Sequence, residues 1–138
     1  MRIRVADYII SRLERENIKS IFQVTGRGAL FLNDAVAKSS SIKGISMHHE
    51  QACAYAAIAA AEQLNNIGVC LVSTGCASTN TITGVLCAWQ DGIPLLVISG
   101  QNFLRETRRH SGVNVRTFGQ QEADIIELVK PITKYAEM

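Results

Sequence analysis

Short apolar runs, separated by segments long enough for helices, constrain the fold of this 138-residue chain most strongly. Residues 69–72 read Val-Cys-Leu-Val, and residues 94–99 read Pro-Leu-Leu-Val-Ile-Ser. Runs without polar alternation are typical of strands that are covered on both faces. Strands joined by helical crossovers form parallel sheets with helices on both faces. The sequence therefore predicts an α/β protein, a three-layer α/β/α sandwich with a mainly parallel sheet.

The predicted helices and strands alternate along the whole chain. Apolar residues at helical spacing mark the first helix, which begins at Val5 and ends near Asn17. The other predicted helices lie at residues 29–38, 49–64, 79–90 and 122–130. The predicted strands lie at residues 21–24, 42–47, 69–72, 94–99 and 132–136. Because there is no internal repeat, low-complexity segment or linker, residues 1–138 are predicted to form a single domain.

Composition excludes several classes of protein. The hydrophobic fraction is 47% and the charged fraction 19%, which is a globular and not a disordered composition. A net charge of +2 gives no reason to expect nucleic acid or an anionic membrane as a partner. No apolar run is long enough for a membrane span, and the amino-terminal residues contain no apolar signal core. The four cysteines lack Cys-x-x-Cys spacing, and Cys53, Cys70 and Cys87 lie in apolar contexts. We therefore expect a cytoplasmic protein in which these three are reduced core residues.

Four polar segments follow the predicted strands and mark a candidate binding site. They are residues 25–28, 48–51 and 73–80, and Gly100 with the loop after it. In open parallel sheets, ligands bind outside the carboxyl ends of the strands. We therefore expect these four segments to converge on one ligand site.

The first of these segments has two interpretations. A Gly-Arg-Gly turn between a strand and a helix, with Glu50 about twenty residues further on, is the outline of a dinucleotide-binding fingerprint. Phe31 stands where the third glycine belongs, and a phenylalanine there is expected to prevent close packing of helix and strand. The other interpretation is a tight turn that uses the backbone freedom of glycine. A dinucleotide-binding module is therefore the weaker hypothesis.

Glu50 and Cys76 are the candidate reactive residues. His48, His49 and Glu50 lack the i, i+4 histidine pair of a helical zinc site, so no metal site is predicted. Glu50 is either a first-turn carboxylate that interacts with the helix dipole, or a reactive group held where water is scarce. Cys76 lies where a nucleophile could, but the flanking glycines of a nucleophile elbow are missing. A small residue in a polar turn is the favoured interpretation of Cys76, and His48 has no assigned role.

Four segments, taken in order, resemble one known family. They are FQVTGRGALFL, HHEQACAYAA, GVCLVSTGCASTNTITGVLCAWQDGIPLLVISGQ and QQEADIIELVKPITKYA. Together they resemble the N-terminal pyrimidine-binding domain of thiamine diphosphate-dependent enzymes, with the acetolactate synthase branch most similar. The resemblance covers nearly the whole chain. It implies the thiamine diphosphate-binding fold, thiamine diphosphate as the cofactor, and decarboxylation or carboligation of a 2-keto acid.

The resemblance also implies roles for individual residues. In the family, the glutamate that matches Glu50 hydrogen-bonds N1′ of the cofactor's aminopyrimidine and promotes the imino tautomer that leads to the reactive ylid. Gln121 matches a catalytic-site glutamine on the substrate side, and His49 is implied to orient the site. The implied cofactor-binding residues are Thr25, Gly26, Glu50, Thr74, Gly75 and Asn80. The alanines after Glu50 are expected to let helix and sheet pack closely behind an apolar pocket.

Three departures from the family pattern bear on the substrate. The family usually has Pro-Gly-Gly where residues 25–27 are Thr-Gly-Arg, and Gly-Pro-Gly where residues 75–77 are Gly-Cys-Ala. Gln120 replaces the phenylalanine that commonly precedes Gln121. These changes leave the fold prediction intact. They are compatible with a substrate other than pyruvate, such as another 2-keto acid or a sugar-derived ketone.

The family divides its cofactor site between two domains. The resemblance implies that the diphosphate and Mg²⁺ bind a separate C-terminal domain with a Gly-Asp-Gly…Asn motif, which we do not find in residues 1–138. It also implies that the diphosphate-binding domain comes from a second subunit of a homodimer or homotetramer, and it allows FAD. We therefore expect a fragment of a longer multidomain enzyme that is inactive alone. The alternative is a non-catalytic orphan or assembly domain of the same fold.

Overall fold

Helices and strands alternate along residues 2–138, which are the residues that the computed structural model describes. The strands are β1 Ser20–Gln23, β2 Lys43–Ser46, β3 Gly68–Val72 and β4 Leu95–Ser99. The α-helices are α1 Val5–Arg15, α2 Leu30–Lys38, α3 Glu50–Leu64, α4 Cys76–Thr79, α5 Ile82–Asp91, α6 Arg108–Ser111 and α7 Ile125–Val129. Short 3-10 helices span Arg27–Ala29, Leu104–Glu106 and Lys130–Ile132. None of these helices is long and apolar enough to cross a membrane.

The four strands form one sheet in the order β2-β1-β3-β4, and every neighbouring pair is parallel. β3 is buried along its whole length, because it lies between two other strands and between two layers of helices. The residues that follow Gln23, Ser46, Val72 and Ser99 lie at the same end of the sheet, because the strands run in one direction. The prediction of an α/β fold is confirmed, with a sheet that is parallel throughout the described residues.

Two hydrophobic cores cover the two faces of the sheet. Successive side chains of a strand point to opposite faces. Accordingly, Ile21 and Leu71 belong to the core under α1 and α2, whereas Cys70 and Val72 belong to the core that includes Cys53 of α3. Burial of a side chain such as Leu71, which is fully buried, contributes about 1.5–3 kcal/mol. The helices on both faces give the three layers that the sequence predicts.

Helix α3 packs on the sheet through small side chains. Its buried residues recur at the three- and four-residue spacing of one helix face, and they are Cys53, Ala54, Ala57, Ile58 and Ala61. Asn65 ends the helix in the left-handed conformation (φ 47°), and its N–H donates to the carbonyl of Ala61. Because α3 follows β2, its first residue, Glu50, lies at the carboxyl-end edge of the sheet.

The carboxyl-terminal segment differs from the prediction. The strand predicted at residues 132–136 is wrong, since the 3-10 helix Lys130–Ile132 is followed by irregular chain up to residue 138. Pro131 fixes its own backbone torsion and has no N–H for a strand ladder, and it favours the helical turn instead. The helix predicted at residues 122–130 is also shorter, because only Ile125–Val129 is α-helical. The polar segment 73–80 and the loop after Gly100 contain the short helices α4 and α6.

The two edges of the sheet differ in character. β2 exposes Lys43 and Ser46, and polar side chains of this kind discourage pairing with another chain. β4 pairs only with β3 within the described residues, and its outer side borders a cavity of about 740 Å³. Many of the residues that line this cavity are apolar, including Trp89, Leu96, Val97, Ile126 and Val129. The described part of the chain thus leaves one apolar sheet edge uncovered.

Candidate functional site

A cleft of about 330 Å³ lies at the carboxyl ends of β1 and β3, beside the first turn of α3. The four segments that the sequence singled out all contribute to it, together with two glutamines before α7. The lining residues are Thr25, Gly26, Arg27, Gly28, Glu50, Ser73, Thr74, Cys76, Ala77, Asn80, Asn102, Gln120 and Gln121. Most of them are polar or small. The expectation of an apolar pocket around Glu50 is therefore wrong, because the buried alanines of α3 pack against the sheet and do not line the cleft.

Glu50 is the one acidic side chain among the described residues that line the cleft, and Asn80 holds one of its carboxylate oxygens. The amide Nδ2 of Asn80 donates a hydrogen bond of 2.8 Å to Glu50 Oε2. Glu50 is half-buried and is the first residue of α3, where the helix dipole favours a negative charge. No described residue donates a hydrogen bond to Glu50 Oε1. The carboxylate is therefore fixed at one oxygen and available to a ligand at the other.

His49 begins the helix that carries Glu50. Its Nδ1 accepts a hydrogen bond of 3.1 Å from the N–H of Gln51, so His49 is the N-cap residue of α3. Both His48 and His49 are exposed, and neither lines the cleft. His49 can therefore affect the site through the start of α3, not through direct contact with a ligand in the cleft.

Gly75 and Gln121 meet where two loops cross. Gly75 has φ 57° and ψ −108°, a conformation that residues with side chains rarely adopt. A Cβ on Gly75 would overlap the carbonyl oxygen of Gln121 and lie 2.6 Å from its carbonyl carbon. Gln121 itself has φ 55°, and its exposed side chain lines the cleft. The loop after β3 therefore sets the position of Gln121, and only a glycine permits the close approach.

Thr74 has a buried hydroxyl without a hydrogen-bond partner in the described chain. The residue is 3% exposed and lines the cleft. A Cβ on Gly28 would overlap this hydroxyl, so the turn after β1 lies directly on Thr74. A buried hydroxyl costs free energy unless a protein group, water or ligand binds it. Thr74 is therefore a polar group in the cleft wall that a bound ligand can satisfy.

Serine hydroxyls fix the loop between β3 and α4 to the end of β4. The Ser78 hydroxyl, in a residue that is 1% exposed, donates to the carbonyl of Ser73 at 2.8 Å and is hydrogen-bonded to the Ser99 hydroxyl. The Ser99 hydroxyl oxygen lies 3.2 Å from the same Ser73 carbonyl oxygen. Because these bonds join the ends of two neighbouring strands, the backbone that leads to Asn80 and its contact with Glu50 is held in place.

Arg27 and Gln120 form a cross-cleft pair that the sequence did not predict. Arg27 Nη1 donates a hydrogen bond of 2.8 Å to Gln120 Oε1, although the residues are 93 positions apart. No local signal indicates such a contact. Ser73 and Asn102 were also missed as individual lining residues, but their positions directly after β3 and shortly after β4 are the signal that could have found them.

The four cysteines are free thiols with different surroundings. Cys53 and Cys70 are fully buried, as predicted, and the interaction with the Cys53 thiol, together with burial, raises the pKa of Cys70. Cys87 is only partly buried, with its sulfur 3.5 Å from the hydroxyl of Tyr55, so its prediction as a core residue is wrong. Cys76 is exposed and lines the cleft. It is therefore the accessible thiol of the candidate site.

Phe31 does not prevent close packing of α2 against the sheet, contrary to the prediction. Phe31, at the position of the third glycine of the fingerprint, is 67% exposed on α2. Its side chain points away from the sheet and does not hold the helix and the strand apart. Exposure of Phe31 therefore does not distinguish a dinucleotide-binding module from a thiamine diphosphate-binding domain.

Comparison with known proteins identifies the domain. A family model described as "Thiamine pyrophosphate enzyme, N-terminal TPP binding domain" matches residues 3–128. The chain belongs to this family. The match covers every element from α1 into α7, and it favours the thiamine diphosphate-binding domain over the dinucleotide-binding alternative.

Relatives of this thiamine diphosphate-binding domain include acetolactate synthases. The chain is 32% identical to the chloroplastic acetolactate synthase of Arabidopsis thaliana over 130 residues, which are 94% of this chain and 18% of the relative. The large subunit from Buchnera aphidicola is 35% identical over 131 residues, 95% of this chain and 22% of the relative. The isozyme 3 large subunit from Escherichia coli is 31% identical over 131 residues, with coverages of 95% and 21%. The chain thus spans about a fifth of the length of these relatives, and its resemblance to the acetolactate synthase branch is confirmed.

The cleft residues fit the aminopyrimidine part of thiamine diphosphate. The unengaged oxygen of Glu50 suits a ring nitrogen, and the buried Thr74 hydroxyl is a further polar partner. The volume of about 330 Å³ lies at the small end of the range for ligand sites, about 300–1,000 Å³. Among residues 2–138, no group of three or more His, Cys, Asp or Glu side chains is placed to hold a metal ion. The described side chains thus suit the ring part of the cofactor.

Proposed function

We propose that this domain binds the aminopyrimidine of thiamine diphosphate in an enzyme that decarboxylates or carboligates a 2-keto acid. The Glu50 carboxylate, which Asn80 fixes at one oxygen inside the cleft, is the observation that carries this proposal. Membership of the family and the acetolactate synthase relatives support the choice of cofactor and reaction. When bound, thiamine diphosphate supplies a nucleophilic carbon and an electron sink for this chemistry.

Glu50 is proposed to hold a proton at the ring nitrogen of the aminopyrimidine. Its Oε1 is available for this bond, since Asn80 engages Oε2. A hydrogen bond to a carboxylate is stronger than one between neutral groups. Because His49 caps the first turn of α3, it keeps the Glu50 backbone in position without touching the ring. Gln121, on the rim of the cleft, is proposed to contact the substrate.

A second chain is proposed to complete the catalytic site. These relatives are about four to five times as long as this chain, which supports a further domain for the diphosphate and Mg²⁺. We propose that this domain belongs to a second subunit of a homodimer or homotetramer. On this basis residues 1–138 alone would bind the ring weakly and would not turn over substrate, whereas an orphan domain of the same fold would not bind it at all.

Titration of the 138-residue chain with thiamine, followed by NMR chemical shifts, tests the proposal. We expect saturable binding that Glu50→Gln weakens about tenfold or more, because a hydrogen bond to a charged group contributes about 1.5–3 kcal/mol. Glu62→Gln is the matched control, since it removes the same charge from an exposed position near the other end of α3. Equal thiamine affinity of Glu50→Gln and the wild-type chain would refute the role of Glu50, and absence of any binding would support the orphan domain.

A further inference from the structure

Arg27 is the one positively charged side chain among the described residues that line the cleft. It is exposed, and it lies in the 3-10 helix that follows β1. Its hydrogen-bond partner is the neutral amide of Gln120. Arg4, Arg12 and Arg109 form ion pairs with carboxylates, whereas no described carboxylate pairs with Arg27. The guanidinium therefore forms no ion pair with a described carboxylate, although Glu50 lines the same cleft.

Gln120 orients the guanidinium of Arg27 without neutralising it. An arginine presents five N–H donors in a planar fork that matches the oxygens of a carboxylate or phosphate. Gln120 engages Nη1, so the donors on Nη2 and Nε are available to a ligand. The backbone of Gln120 is itself held, because Asn102 Nδ2 donates to its carbonyl at 3.0 Å. The guanidinium is thus prepositioned on the cleft rim.

We propose that Arg27 forms an anion subsite that binds a carboxylate or phosphate group of the substrate. The proposal rests on the proposed function, because it assumes that the substrate reaches the same cleft as the cofactor ring. An arginine paired with a carboxylate or phosphate can form two parallel charge-assisted hydrogen bonds. A neutral ketone or aldehyde would leave the positive charge without a partner. On this basis Arg27 selects carbonyl substrates that carry a carboxylate or phosphate group over neutral ones.

NMR titration of the 138-residue chain with three probes tests the subsite. The probes are pyruvate, inorganic phosphate, and hydroxyacetone, which has a ketone but no negative charge; ionic strength is held constant because salt screens such contacts. We expect pyruvate or phosphate, but not hydroxyacetone, to shift the Arg27 Nε–H signal saturably, and the tighter anion identifies the group. Arg27→Gln should weaken anion binding about tenfold or more, whereas Arg116→Gln, an exposed arginine outside the cleft, should bind as the wild-type chain does.

Two results would overturn the subsite. One is a wild-type titration in which neither anion shifts the Arg27 signal, and the other is equal anion affinity in Arg27→Gln. Arg27→Lys keeps the positive charge but loses the planar fork, so we expect it to retain part of the anion affinity. This result would show that Arg27→Gln binds anions more weakly because it lacks the charge, not because its turn is distorted. Thiamine titration of the wild-type chain tests the proposed function separately. A chain that binds thiamine but neither anion refutes the subsite alone, and a chain that binds an anion but not thiamine refutes the proposed function alone.

Discussion

Replacement of Gly75 by alanine is predicted to destabilise the fold strongly and to displace Gln121 from the cleft. A residue with a side chain at φ 57° and ψ −108° costs on the order of 1–3 kcal/mol in backbone strain. The new Cβ would also overlap the carbonyl oxygen of Gln121, and such overpacking typically costs about 1–3 kcal/mol more. The sum is about 2–6 kcal/mol, a large part of the roughly 5–15 kcal/mol that stabilises a domain.

Urea unfolding followed by circular dichroism measures this effect, and Gly112→Ala is the matched control. Gly112 also has a positive φ (70°), but a Cβ there would meet no atom within 4 Å. It therefore reports backbone strain without the clash. We expect Gly75→Ala to lose clearly more free energy of unfolding than Gly112→Ala, and to bind thiamine more weakly. If the two variants differ by less than about 0.5 kcal/mol, the size of an ordinary surface effect, the loops do not meet as tightly as described.

Two further predictions concern a thiol and a carboxylate. Cys76 should react with iodoacetamide in the folded chain before Cys87, and bound thiamine should slow the reaction of Cys76. Mass spectrometry of the labelled peptides measures both rates. Equal rates of Cys76 labelling with and without thiamine would place Cys76 outside the site. Hydrogen bonds from Ser39 and Ser41 hold the pKa of Glu14 below its usual range, so this group contributes stability at neutral pH that is lost as the pH falls below about 4. Unfolding of Glu14→Gln between neutral and acid pH should show a shallower loss than the wild-type chain, and identical pH profiles would contradict this contribution.

The sheet was predictable because buried strands consist of uninterrupted runs of apolar residues. β3 has no polar side chain, and its predicted limits, residues 69–72, agree with Gly68–Val72 within one residue. The segment after Pro131 has no such sequence signal. Ile132 and Tyr135 have the side chains of a strand, but a strand also needs a partner with a free edge, and local composition carries no information about that partner. The irregular chain at residues 133–138 therefore could not be foreseen.

The site was predictable in outline and not in detail. The position of Glu50 follows from the order of strand and helix, since a residue at the start of α3 must lie at the carboxyl-end edge. The direct bond from Asn80 to Glu50 requires α4 to turn back across the edge, which the sequence does not indicate. The contact between Arg27 and Gln120 depends on the path of the whole loop after β4. Pairings of this kind are long-range, so they appear only when the chain is folded.

The unpaired side of β4 links the solubility of this domain to its assembly. Each free backbone N–H and C=O along such a strand can pair with an extended chain. Burial of the neighbouring Trp89 and Val97 would make this pairing more favourable. The same strand can therefore bind either its partner in the assembly or a second, partly unfolded molecule of the same protein. A partner that covers β4 in an assembly also blocks aggregation through this strand. Assembly would therefore protect the domain from aggregation.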